Sequence, residues 1–161
     1  MTNEPEAQKR PDRRTLSSAA RLYAVQALFQ MEAAGQTADR VQQEFSSYRI
    51  DFDDRDGPTA EADEALFRRI TDDAVTWQSR IDQATDRALV AKWPIDRIDP
   101  VLRALFRAAG AEMVANRAPA KVVISEYVRL ASAFFPSGKE ASFVNAVLDH
   151  MTRQLNPDSL A

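Results

Sequence analysis

Five cations, Lys9, Arg10, Arg13, Arg14 and Arg21, lie between Gln8 and Arg21 against the single acid Asp12. A cluster of this kind can hold phosphate: lysine offers a point charge and arginine a planar fork of donors. The opposite pole is Asp51 to Glu64, where seven acids face only Arg55. Such a stretch repels a polyanion and suits a basic partner. Arg103 and Arg107, one helical turn apart, are a second pair that can take an anion or stay hydrated. The net charge of −3 therefore conceals an asymmetry that matters more for partners than the total. Each run also has the plain reading of solvated surface.

Reaction chemistry has no comparable foothold. There is no Cys, so thiolate nucleophiles, thiolate metal sites and disulfides are excluded, and the single His150 cannot make a metal cluster alone. No dinucleotide fingerprint, phosphate-binding P-loop or zinc-protease motif occurs, and the few glycines are too scattered to cradle a phosphate chain. Asp72 and Asp73 are helix neighbours that point apart, and Ser125–Glu126 is a sequence pair without a base. A calcium loop at Asp51–Thr59 fails for want of a glycine at its sixth position and a bidentate Glu at its twelfth. Neither metal nor cofactor is expected, and binding rather than catalysis is the function class that remains.

The elements that must position these groups read as helices throughout. Thr15–Gly35 is the central one. Leu22, Val25 and Phe29 form one apolar face, Ala24, Ala27, Leu28 and Met31 another, and Tyr23, Gln26 and Gln30 a polar flank. Asp12 or Thr15 caps its start and Gly35 its end. Thr37 begins a second helix, ending near Arg49, with Val41, Phe45 and Tyr48 inward. From Glu61 to about Ala91 the pattern predicts one long helix with Leu66, Ile70, Ala74, Trp77, Ile81 and Leu89 inward, stopped by Trp93–Pro94. Asp99–Pro100 starts the next as N-cap and first-turn proline, and Asn116–Ala118 closes it. Pro119 opens another helix with Val123, Tyr127, Leu130 and Phe134 inward, and a last one follows the break at Phe135–Gly138.

With 161 residues, 45% hydrophobic content and no convincing strand, these elements predict one all-α bundle of six or seven helices over residues 15–156. Residues 1–14 read as a flexible basic arm and 157–161 as a short tail. No apolar run is long enough for a membrane span, so a soluble, cytoplasmic protein is expected, for which a homodimer is allowed.

AVQALF at Ala24–Phe29, VLRALFRAAGAEM at Val101–Met113, and KVVISEYVRLASAFF with SFVNAVLD between Lys121 and Asp149 resemble the NusB family of transcription antitermination proteins, in the family's order and spacing. The resemblance implies a small, all-helical, non-enzymatic protein. It implies binding to boxA single-stranded RNA together with NusE, a ribosomal small-subunit protein, within the RNA polymerase antitermination complex of ribosomal RNA operons. Where the family carries an arginine-rich run, this chain has Ser17–Ala20 before Arg21, so phosphate contacts fall to Arg10, Arg13 and Arg14 with Arg21. Phe29 takes the place of a frequent tyrosine, and Phe143 and Asn145 match a Phe-Val-Asn motif in which Ala146 replaces the usual glycine. The residues expected at RNA are Arg10, Arg13, Arg14, Arg21, Gln26, Phe29, Lys121, Lys139 and Phe143. Phe29 shares its face with Leu22 and Val25, so core packing competes there with base contact, whereas Phe143 is expected nearer the surface. The alternatives are a helical protein–protein scaffold with no RNA role, or the appendage of an RNA methyltransferase, of whose catalytic machinery this sequence holds nothing.

Overall fold

The computed structural model describes residues 11–50, 53–54, 57–58, 61–89 and 98–160. Seven α-helices account for most of them: α1 Arg13–Ala34, α2 Ala38–Tyr48, α3 Glu64–Thr76, α4 Gln78–Ala88, α5 Pro100–Ala115, α6 Ala120–Phe134 and α7 Lys139–Leu155. The expected tail carries a short 3-10 turn, Pro157–Leu160. Within the acidic stretch, Asp53 and Asp54 pair antiparallel with Pro58 and Gly57, an extended bridge of two residues a side in an otherwise helical fold.

Local sequence explains the helix ends. The Asp12 carboxylate accepts from the Thr15 N–H at 2.8 Å, so α1 starts two residues earlier than expected and takes Arg13 and Arg14 out of the arm. Gly35 closes it in the left-handed conformation at φ 65°, where a Cβ would be strained. Asp99 caps α5 by accepting from the Val101 N–H, with Pro100 in the first turn.

α1 is the central helix by burial. Ala20, Tyr23, Ala24, Val25, Ala27 and Leu28 are all buried, against α5 and α3 on one side and α2 on another. Tyr23, expected on the polar flank with Gln26 and Gln30, instead meets Phe45 edge-on with ring centroids 6.1 Å apart and donates its hydroxyl to the Arg49 carbonyl. Phe45 stacks on Phe67 at 5.5 Å, which ties α1, α2 and α3 into one aromatic seam.

The long helix expected over Glu61–Ala91 is two helices. Trp77 takes φ −105° and ψ 15°, its N–H turning back to the Asp73 and Val75 carbonyls, and the chain changes direction there. The reason is that its two halves serve different neighbours: α3 packs on α1 and α5, α4 on α7 and α5. A straight rod could not do both. Trp77 is left at the corner, 42% exposed, rather than on the inward face, and Tyr48 at the end of α2 is likewise exposed rather than packed. α4 closes at Leu89; Trp93–Pro94 lies outside the described residues.

α4 and α5 approach closely at Gly110. A Cβ built there would stand 2.4 Å from Ile81 Cγ2, and Ile81 is completely buried with a branched, stiff side chain. Gly110→Ala should therefore destabilise by about 1–3 kcal/mol through overpacking, although alanine is the better helix former by about 1 kcal/mol. Urea melts check this, and Ile81→Ala in the same chain should relieve part of the loss.

Two charged clamps join α1 to α5 along their antiparallel contact. Near the start of α1, Arg21 Nε and Nη2 donate to the two carboxylate oxygens of Glu112 at 2.8 and 3.0 Å, with both residues buried. Near its end, Glu32 accepts from Arg103 Nε at 2.9 Å and Nη2, and from Arg107 Nη1 at 3.1 Å. Arg107 continues to Asp82 on α4 through two bonds of 3.0 Å. Arg103 and Arg107 are thus engaged by acids of other helices rather than standing free for an anion. Their guanidinium groups, Arg103 first, hold the Glu32 carboxyl below its ordinary range.

Candidate nucleic-acid interface

α1 and α6 run side by side with their N-termini at the same end, and two grooves open between and beside them. The first lies at the N-terminal end, with a volume of about 720 Å³, lined by Arg13, Arg14, Ser17 and Arg21 from α1 and by Lys121, Val122, Ser125 and Glu126 from α6. Arg13, Arg14 and Lys121 are exposed on its rim. Arg21 is different: only 6% exposed, it forms part of the wall from inside, and its expected free reach toward solvent is replaced by the pair with Glu112. The sequence fold explains this, because Arg21 sits on the same side of α1 as the buried Val25 and Leu28 rather than on the flank of Gln26. Among the described residues its third nitrogen, Nη1, has no hydrogen-bond partner.

Below this groove a polar seam crosses from α1 to α6. The Ser18 hydroxyl donates to Glu126 Oε2 at 2.9 Å, and Arg129 Nη2 donates to both, at 2.7 Å to Ser18 and 2.6 Å to Glu126. Tyr127, wholly buried, lies beside the Arg21–Glu112 pair. Burial, reinforced by the Glu112 carboxylate, pushes its phenol well above the ordinary range, so it stays neutral.

The second groove, of about 460 Å³, follows the C-terminal half of α1. Val25, Phe45, Val101 and Phe134 give it an apolar lining, and Gln26, Phe29, Gln30 and Arg49 stand along it. Phe29 is 38% exposed, so of the two roles open to it core packing is excluded: Ala24, Leu28 and Val25 fill the interior and leave its ring at the groove. The Gln30 amide is committed to Gln36 and Glu44, whereas Gln26 makes no side-chain hydrogen bond among the described residues. Arg49 lies 5.0 Å over the Phe45 ring.

Phe143 reverses its expectation. α7 begins at Lys139, which puts Phe143 a full turn inside the helix, half-buried, with its ring edge-on to Phe106 at 6.3 Å. Lys139 is exposed, and neither residue lines either groove. His150 is exposed beside Gln154. Arg10 lies outside the described residues. Ser125 and Glu126, set aside as a catalytic pair, and Phe134, expected inward, line these grooves with Ser17, and Arg129 was not singled out; the strongest overlooked signal is Glu112, a lone charge in the apolar run Ala108–Ala115. Among the described residues no group of acids and histidine could hold a metal, and no helix is long and apolar enough to cross a membrane.

Residues 18–153 match the model of the NusB family. The chain belongs to that family. Similar relatives are the transcription antitermination proteins NusB of Maricaulis maris, 40% identical over 148 residues that cover 91% of this chain and 92% of the relative, and of Caulobacter vibrioides, 42% identical over 137 residues covering 84% and 91%. The fold is that of solved NusB structures. That of T. maritima superposes with a TM-score of 0.70 at 23% identity, covering 94% of this chain and 99% of the other. A structure of antitermination factors NusB and NusE in complex with dsRNA gives 0.65 at 20% identity, covering 84% and 95%. These relatives are named for transcription antitermination, not for an enzymatic activity.

Proposed function

We propose that this protein is a non-enzymatic transcription antitermination factor that binds boxA-type single-stranded RNA along the face formed by α1 and α6. In this reading NusE, the ribosomal small-subunit protein, joins it on the RNA, and the assembly serves RNA polymerase on ribosomal RNA operons. The observation that carries the reading is that one rigid helix holds cations at one end and an exposed ring with an uncommitted amide further along. Phosphates fit the Arg13, Arg14 and Lys121 end, with Arg10 upstream. Unpaired bases fit the Phe29 and Gln26 end, where stacking and edge hydrogen bonds read a splayed strand. Lys139 and Phe143, away from both grooves, take part only at the margin of such a path. The acidic stretch from Asp51 to Glu64 would repel RNA, and its charge supports a basic protein partner there.

A titration with boxA RNA, alone and with the ribosomal protein, tests the reading. Affinity should fall steeply with salt, the logarithmic slope being about −0.7 for each phosphate contacted on a single strand. Charge reversal at Arg14 or Lys121 should reduce that slope. Double-stranded RNA of the same sequence should bind more weakly, because paired bases cannot reach Phe29. Flat salt dependence, or RNA binding no different from a scrambled strand, would leave the helical protein–protein scaffold as the better account.

A further inference from the structure

We infer that Glu112 is a positioning residue for nucleic-acid binding: from inside α5 it holds Arg21 so that the Nη1 edge of the guanidinium is presented to the groove between α1 and α6. This rests on the RNA reading of that groove and adds a residue to it that itself makes no contact with the ligand.

The geometry points this way because a guanidinium is planar. Once Nε and Nη2 are both bound to one carboxylate, the direction of Nη1 is fixed in the plane, on the side away from Glu112. The remaining walls are Ser17 on α1 and Val122, Ser125 and Glu126 on α6, and Glu126 is itself engaged by Ser18 and Arg129. Among the described residues Nη1 makes no hydrogen bond, while Nε and Nη2 are both taken by Glu112. The same nitrogen belongs to a residue lining a groove whose rim is Arg13, Arg14 and Lys121, so a phosphate oxygen drawn in by the rim meets a preset donor at its wall. Stability alone does not account for the pair, since well-packed apolar residues in place of a buried ion pair commonly stabilise as much or more.

The sign of one substitution decides the matter. Glu112→Gln removes a negative charge close to the groove, so simple electrostatics predicts tighter RNA binding. Loss of positioning predicts the opposite, because the amide can accept only one of the two guanidinium bonds and sets an N–H against the other. In anisotropy titrations of a boxA-type RNA oligonucleotide across a salt series, Glu112→Gln should weaken binding about fivefold or more, the loss of about one oriented hydrogen bond. The neutral pair Arg21→Gln with Glu112→Gln leaves no buried charge uncompensated, and it should also reduce the salt slope by about 0.7, one phosphate contact. Unchanged or tighter binding by folded Glu112→Gln, with normal binding by the parent protein, overturns the assignment and leaves the RNA reading intact. If the single variant does not fold, the neutral pair decides: parent affinity and slope overturn the assignment. A parent protein that binds no RNA at low salt overturns both.

Discussion

Arg21→Ala should cost about 3–5 kcal/mol of stability, far more than the loss of an exposed helix arginine. The substitution leaves the Glu112 carboxylate in an environment only 6% exposed, its two hydrogen bonds gone and only the Tyr127 phenol nearby. A domain of this size has about 5–15 kcal/mol in total, so the change removes a large fraction of it. Equilibrium urea unfolding measures the effect. The companion Arg21→Met with Glu112→Leu removes both charges and should recover most of the loss, whereas Arg13→Ala and Arg14→Ala, exposed on the same helix, should melt within about 0.5 kcal/mol of the parent. A mild Arg21→Ala would mean that water reaches Glu112 in solution.

Phe29→Ala and Phe143→Ala should separate cleanly, the first acting on binding and the second on stability. Phe29 already shows 38% of its surface, so its truncation should cost about 1 kcal/mol of stability or less. If a base stacks on it, RNA binding should fall by about 1–3 kcal/mol, roughly five- to 150-fold. Phe143 meets Phe106 edge-on beneath α7, and its truncation should cost about 2–4 kcal/mol of stability and change the affinity of the folded fraction little. Thermal melts and RNA titrations on the two variants check both halves. An unchanged affinity in Phe29→Ala would remove base stacking from the second groove.

The two phenylalanines illustrate where sequence reading reaches and where it stops. Helical periodicity assigned Phe29 to the face of Leu22 and Val25, and that is correct for the backbone: all three lie on one side of α1. Whether that side is covered depends on how far α6 and α2 extend along it, a tertiary fact that periodicity does not contain. The same limit explains Trp77. Its spacing from Ala74 and Ile81 is helical, yet the chain turns at Trp77 because α3 and α4 answer to different partners. Signals that act within four residues were legible: the Asp12 and Asp99 caps, the Gly35 stop and the Pro100 start all hold. Charges were legible in type but not in pairing. Arg21, Arg103 and Arg107 each looked available for anions, and each spends its guanidinium on an acid from another helix. Arg21 and Glu112 carried the better clue, since a solitary charge within an apolar helical run usually has a partner waiting across the core.

The two clamps between α1 and α5 fix the length of the face that the proposed RNA path would follow. Arg21 is tied at one level and Glu32 at another, so α1 can neither slide along α5 nor bow away from it without breaking charged bonds at one end. From Arg14 to Phe29 the helix rises about 22 Å, at about 1.5 Å per residue. That interval is a ruler rather than a hinge. A strand that seats its phosphates at the basic end and its base at Phe29 must supply the matching contour, and one nucleotide more or fewer between the two would have to be absorbed by the RNA.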